Sequence, residues 1–184
     1  MIHFQIRYIP EVTSTNTVAL EEATQGAAEG LVILTDHQTS GRGKPGNDWF
    51  SPRGKNLLFS VLIRPPLRTD QAPLLTQIAC RAVAKVLKEK YAIGSEFKRP
   101  NDVMVGNKKI CGTLVEALST GTELEAAVIG IGLNVNAEAP ELIPTAISMK
   151  MITGKTYPLE EILEGILDEL NDKLREWYKT GTIK

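Results

Sequence analysis

The chain has 184 residues, 42% hydrophobic and 23% charged, with a formal net charge of −1. That length suits one domain over residues 1–184 with a substantial core, and so even a charge balance excludes bulk attraction to nucleic acid or an anionic membrane. No apolar run approaches the ~18 residues of a membrane span, the first residues lack a signal-peptide pattern, and Cys80 and Cys111 lie in apolar runs without metal-ligand spacing, so a soluble cytoplasmic protein with reduced thiols is expected.

In chain order, Ile2, Phe4, Ile6 and Tyr8 alternate with His3, Gln5 and Arg7, the pattern of a half-buried strand that Pro10 ends. Thr13 to Asn16 precede a helix-like stretch through Glu22 that stops by Gly26, so a hydroxyl there would serve as an ordinary N-cap. Leu31 to Leu34 and Leu57 to Ile63 read as buried strands. Between them, His37 to Asn56 has no period at all. It holds Arg42, Lys44, Arg53 and Lys55, several glycines and Trp49, and is either a loop that closes over an anion or a plain surface excursion.

Pro65 and Pro66 break the chain before a clear amphipathic helix, whose stripe runs through Leu74, Leu75, Ile78, Ala79, Ala82, Val83, Val86 and Leu87. Strands follow at Val103 to Val105, Lys109 to Ala117 and Glu125 to Val135, joined by turns at Gly106-Asn107 and Thr120 to Thr122. A short helix near Ser148 and a long one through Leu163, Ile166, Leu170, Leu174 and Trp177 complete the chain. No repeat interrupts it. The elements describe an α+β fold, a mostly antiparallel mixed sheet with helices on one side.

Several chemistries are excluded. Gly41-Arg-Gly43-Lys-Pro-Gly46 matches a dinucleotide fingerprint only formally, because Pro45 to Asp48 cannot open the helix it needs. There is no Walker loop, and His3 and His37 belong to no zinc spacing or nucleophile elbow. An enzyme of this composition works by charge stabilisation and positioning. Three patches stay open to two readings each. Lys98-Arg-Pro-Asn-Asp102 is a solvated turn, or places Asn101 and Asp102 as oxygen ligands for Mg²⁺ and phosphate. Lys108 and Lys109 are edge lysines or cleft residues, and if odd residues from Lys109 face the cleft, Cys111 and Thr113 share that side. Gly130 and Gly132 mark a bulge, or let a flat ligand lie on the backbone.

Taken in order, Ser14-Thr15-Asn16, Gln38-Thr-Ser-Gly-Arg-Gly43, Trp49-x-Ser-Pro52, Lys98-x-Pro-Asn-Asp102, Lys109-Ile-x-Gly112 with Leu114-Val-Glu116, and Gly130-x-Gly132-x-Asn134 resemble the catalytic domain of biotin protein ligases. The six pieces span about three quarters of the chain. The resemblance implies a class II synthetase-like fold and a two-step reaction: biotin and Mg·ATP form biotinyl-5′-adenylate and pyrophosphate, and a lysine of a biotin carboxyl carrier protein takes the biotinyl group. It implies catalytic roles for Lys109, Arg42 and Asp102. Biotin would meet Ser14, Thr15, Asn16, Gln38, Gly41, Arg42, Lys109, Gly112, Leu114 and Gly130. The nucleotide would meet Gly43, Lys44, Trp49, Asn101, Asp102, Gly132 and Asn134, with Asp102 on the Mg²⁺. The long loop would then be a lid that keeps water from a reactive anhydride.

Departures from the family pattern fall at Lys44, Pro45 and Asn47, where relatives carry more arginine, and at Arg99, where Trp is usual. Arg99 either returns a cation to the nucleotide side or is simply exposed. A winged-helix segment and a small C-terminal β domain are expected to be lacking. Lipoate or octanoate ligation on the same fold and a non-catalytic biotin or nucleotide binder are the alternatives. Edge strands of such a sheet also leave room for a homodimer.

Overall fold

A computed structural model describes residues 1–43 and 47–181. In chain order the elements are β1 (Gln5–Tyr8), β2 (Glu11–Val12), α1 (Thr15–Thr24), β3 (Leu31–Thr35), β4 (His37–Gln38), β5 (Leu57–Ile63), α2 (Ala72–Tyr91), β6 (Glu96–Lys98), β7 (Asp102–Val105), β8 (Lys108–Thr120), β9 (Glu123–Leu133), α3 (Met149–Thr153) and α4 (Leu159–Thr180). Seven strands form one sheet in the order β1-β3-β5-β9-β8-β7-β6. Within this sheet, among the described residues, β1 and β3 are the one parallel pair, so the sheet is mixed and mostly antiparallel, as expected. A second, two-stranded sheet joins β2 to β4, the first residues of the long loop.

The helices cover both faces of the sheet, which corrects the one-sided arrangement. Leu57, Phe59, Val61 and Ile63 of β5 and Ala127, Ile129, Ile131 and Leu133 of β9 join the core beneath α2 and α4. Leu62, Ala126 and Val128 face the other way, against Ala19 and Ala23 of α1. Alternate residues of a strand point to opposite faces, so the unbroken apolar run of β5 was itself the sign of two-sided cover. Arg64 holds the end of α1 by donating to the Ala23 carbonyl in its last turn and to the Ala27 carbonyl just beyond it.

β1 is less buried than its alternation suggested. It lies at the sheet edge, with Ile6 46% and Tyr8 51% exposed, because alternation sorts side chains to faces without saying whether a face is covered. Ile2 and Phe4, ahead of the strand, are the residues that reach the core.

A bulge in β8 also changes an expected face. Val103 pairs with Cys111 and Met104 with Lys109, so Ile110 is passed over on the β7 side. Ile110 and Cys111 both enter the core, and the alternation shifts by one residue. Lys109 therefore points to the same side as Gly112, with its Nζ 3.0 Å from where a Gly112 side chain would begin, while Cys111 turns away from the cleft.

Both thiols are buried and free; burial pushes Cys80 up to about 11 and Cys111 well above the usual thiol range. At pH 8 they are protonated, so alkylation should proceed only as fast as the protein opens, and rapid labelling of the folded chain would contradict this packing. Leu170→Ala, in the α2–α4 interface, should cost ~2–5 kcal/mol in denaturant unfolding. Ile6→Thr on the exposed edge should stay within ~0.5 kcal/mol.

Candidate active site

The α1 face of the sheet continues past the N-terminus of α1, and there it loses its side chains. In register, Ser60 of β5, Gly130 of β9 and Leu114 of β8 lie side by side, and Leu58, Gly132 and Gly112 form the next row. The opening holds a cavity of about 40 Å³ bounded by Ser14, Thr15 and Asn16, by Gln38, Arg42, Gly43 and Trp49 of the loop, and by Lys109, Leu114 and the three glycines. All six sequence pieces meet at this cavity. The Lys98 to Asp102 piece joins through Asn101.

The expected N-cap is replaced by a long-range contact. Ser14 occupies the capping position of α1, yet its side chain makes no capping hydrogen bond. Gln38 supplies the acceptor instead, its Oε1 taking the Thr15 backbone N–H at 2.8 Å and lying 3.1 Å from Thr15 Oγ1. One amide from the loop thus ties β4 to the start of α1 and satisfies a donor the helix leaves free. Gly41 is needed nearby, since a side chain there would meet the Trp49 carbonyl oxygen at 2.4 Å.

Asn16 is the next anchor. Its Nδ2 donates to the Leu114 carbonyl at 3.2 Å and to Glu116 Oε2 at 2.8 Å, so its Oδ1 faces Ser60 and accepts that hydroxyl at 2.6 Å. Ser60 is fully buried and is also 2.7 Å from Thr15 Oγ1. The Asn16 amide fills the volume above Gly130, where a Cβ would lie 2.2 Å from Oδ1. No bulge occurs at Gly130 or Gly132, so close approach explains both glycines.

At Gly132 the approaching group is the Trp49 indole, 2.6 Å from where a Cβ would be, and its edge also reaches Gly112. Lys109 Nζ lies 5.3 Å from the centroid of that indole and 2.7 Å from Asp102 Oδ1. Its backbone is fixed as well: Lys109 N–H donates to the Thr145 carbonyl and the Lys109 carbonyl accepts from Ile147. Beyond Trp49 and Lys109 a second cavity of about 310 Å³ opens, bounded by Gly43, Asn101, Asp102 and Asn134 and by Leu142, Ile143 and Ala146. Asn101 and Asn134 are spoken for in part, Asn101 donating to the Thr113 carbonyl and Asn134 accepting from Asn56.

The loop's cations divide. Arg42 donates to Glu116 Oε2 at 2.7 Å and to Thr17 Oγ1 at 2.6 Å beside the first cavity. Arg53 pairs with Glu11 and Lys55 with Glu141, at the base of the loop and away from both cavities. Arg42 and Asp48 form an antiparallel bridge, so the described residues on either side of that part of the loop are paired with each other. The expectations at Lys44 and Pro45 lie outside the described residues. Arg99 is exposed and lines neither cavity.

Sequence reading overlooked Ser60, Glu116 as an anchor, and the apolar patch at Leu142, Ile143 and Ala146. Ser60 did leave a signal, being the one polar residue in the run Leu57–Ile63. A buried hydroxyl is retained where it has partners.

Residues 8–134 match the Biotin/lipoate A/B protein ligase family. The bifunctional ligase/repressor BirA of Bacillus subtilis is 30% identical over 178 residues, covering 95% of this chain and 55% of the relative, so the chain spans about half the length of such curated relatives. A biotin protein ligase from Aquifex aeolicus, solved in complex with biotin and ATP, superposes with a TM-score of 0.81 at 30% identity, over 96% of this chain and 72% of that one. The Leishmania major biotin protein ligase, solved in complex with biotinyl-5-AMP, gives 0.73 at 32%, over 94% and 76%. With the family's region matched over most of the chain and its fold reproduced, the chain belongs to the biotin/lipoate A/B protein ligase family.

Proposed function

We propose that the chain joins biotin to ATP and passes the biotinyl group to a lysine of a biotin carboxyl carrier protein. The observation that carries this reading is the place of Lys109, on the wall shared by two adjoining cavities of different character. The first offers amides and hydroxyls to a small polar ring, as the ureido head of biotin requires. The second has two carboxylates, three amides and an apolar patch that suit a phosphorylated purine with its metal ion. The biotin carboxylate oxygen attacks the α-phosphorus, pyrophosphate departs, and the lysine amine of the carrier then attacks the acyl carbonyl and releases AMP. Two anions must meet in the first step, so a fixed ammonium at the junction lowers its barrier.

In this reading Ser14, Thr15, Gln38 and Asn16 recognise the head group, and Gly41, Gly112, Leu114 and Gly130 form its wall. Lys109 and Arg42 face the developing phosphate charge. Gly43, Asn101, Gly132 and Asn134 border the nucleotide, with Lys44 assigned there on resemblance alone. Among the described residues no three His, Cys, Asp or Glu side chains gather to hold a metal. A lone Asp102 beside Asn101 still suits Mg²⁺, which usually keeps water and substrate phosphate as most of its ligands. When bound, it would neutralise phosphate charge. Asp102 would hold it and exchange its contact with Lys109.

Trp49 is assigned differently from its resemblance-based role beside adenine. The first cavity, at about 40 Å³, has room for only a few water molecules. A bicyclic head group therefore enters only as Trp49 swings outward, which makes the loop a lid with the indole as its inner surface. ATP consumption and two free buried thiols favour a cytoplasmic setting.

Biotin-dependent ATP–pyrophosphate exchange and biotin transfer to a carrier domain test the reading, with Lys109→Met expected to lose ~10²–10³ in exchange rate. Exchange driven by lipoate and not by biotin would overturn it, and ligand binding without exchange would leave a binding domain. The lid has its own readout. Of the two tryptophans, Trp177 is buried in the core and Trp49 bounds the cavity. Adding biotin should change the intrinsic fluorescence of the unaltered chain and leave that of Trp49→Phe unchanged. Ser60→Ala should raise the KM for biotin about tenfold and leave that for ATP within about twofold, because an unpartnered buried amide costs ~1–3 kcal/mol.

A further inference from the structure

We infer that Glu116 is a positioning residue that fastens the Arg42 segment across the first cavity by its charge. The inference rests on the biotin reading for its effect on the reaction. Glu116 borders neither cavity, yet both side chains that donate to it border the first. A single oxygen, Oε2, accepts from Asn16 Nδ2 at 2.8 Å and from Arg42 Nη2 at 2.7 Å. The other terminal nitrogen of Arg42 donates to Thr17 Oγ1 at 2.6 Å, so the guanidinium spans from the lid to β8 and to α1. Thr17, like Glu116, borders neither cavity.

A carboxylate this close to a site for anionic ligands would repel them if its charge were free. Here the charge is spent on Arg42. The Arg42 and Glu116 side chains are 41% and 31% exposed, which makes the pair a weak, salt-sensitive fastening instead of a lock. It biases Arg42 toward the cavity while letting it move away, and Arg42 leaves Glu116 when a ligand anion competes for the same cation. Arg53 provides an internal control, since it belongs to the same loop but pairs with Glu11.

Trypsin reads the fastening directly, because it must take the Arg42 side chain away from Glu116 before it can cut. Cleavage after Arg42 should be about five-fold faster in Glu116→Gln and about two-fold faster in Thr17→Val, as loss of an exposed pair allows. Cleavage after Arg53 should not change in either. Added salt should bring the unaltered chain toward the Glu116→Gln rate and leave Glu116→Gln where it is. In the exchange assay Glu116→Gln should raise the KM for biotin and hold that for ATP within about twofold. Equal rates after Arg42, acceleration at both sites together, salt dependence that survives in Glu116→Gln, or equal shifts of both KM values would each overturn the assignment. If the unaltered chain shows no biotin-dependent exchange, the ligase reading falls, and the tryptic rates still decide the role of Glu116.

Discussion

The site depends on one close contact, the Asn16 amide resting on the bare backbone of Gly130. From that position Asn16 reaches Ser60 on β5, the Leu114 carbonyl and Glu116 on β8, so one side chain at the start of α1 is held by three strands' worth of structure. Any side chain at residue 130 would lift the amide away and leave a buried hydroxyl and amide without partners, each costing ~1–3 kcal/mol. The helix is short and packs mainly through Ala19 and Ala23, which offer little area to fix its angle. Polar contacts at its N-terminus and Arg64 at its C-terminus do that work.

The bulge in β8 is a second constraint of the same kind. Without it Lys109 and Cys111 would share a face, so either the ammonium would point into the core beneath α2 or Cys111 would occupy the cleft. Passing over Ile110 on the β7 side puts two apolar residues in the core and the lysine on the α1 face, between Asp102 and Trp49. The hydrogen bonds from its backbone to Thr145 and Ile147 tie that position to the segment bearing Leu142 and Ile143. Lys109, one of the residues that border both cavities, is therefore fixed from both.

The loop combines a firm base with a weakly fastened arm. Arg53 and Lys55 spend their charge on Glu11 and Glu141, while Gln38 is committed to the α1 N-terminus. Arg42 and Trp49 lie above, where contacts are an exposed ion pair and a flat ring on glycine backbone. That division is what the proposed lid would need, since it must open for a small substrate and still exclude water. A uniformly cationic loop would be a stickier and less selective device.

The sequence by itself determined the strands and helices of the core, the turns at Gly106 and Gly121, and the family, because apolar periodicity and glycine chemistry are local and the six motifs keep their order. Ser14, Gln38, Arg42 and Lys109 were legible as site residues through that order. What only the tertiary structure decided were relations across distant segments. Gln38 caps a helix that begins at residue 15, Glu116 meets Arg42, and the bulge at Ile110 turns Lys109 to its face. A strand pattern records which residues share a side, but neither what covers that side nor where pairing skips a residue. The long stretch His37 to Asn56 carries no period, so its Arg42–Asp48 bridge and the different partners of its cations exist only in the contacts the rest of the fold provides.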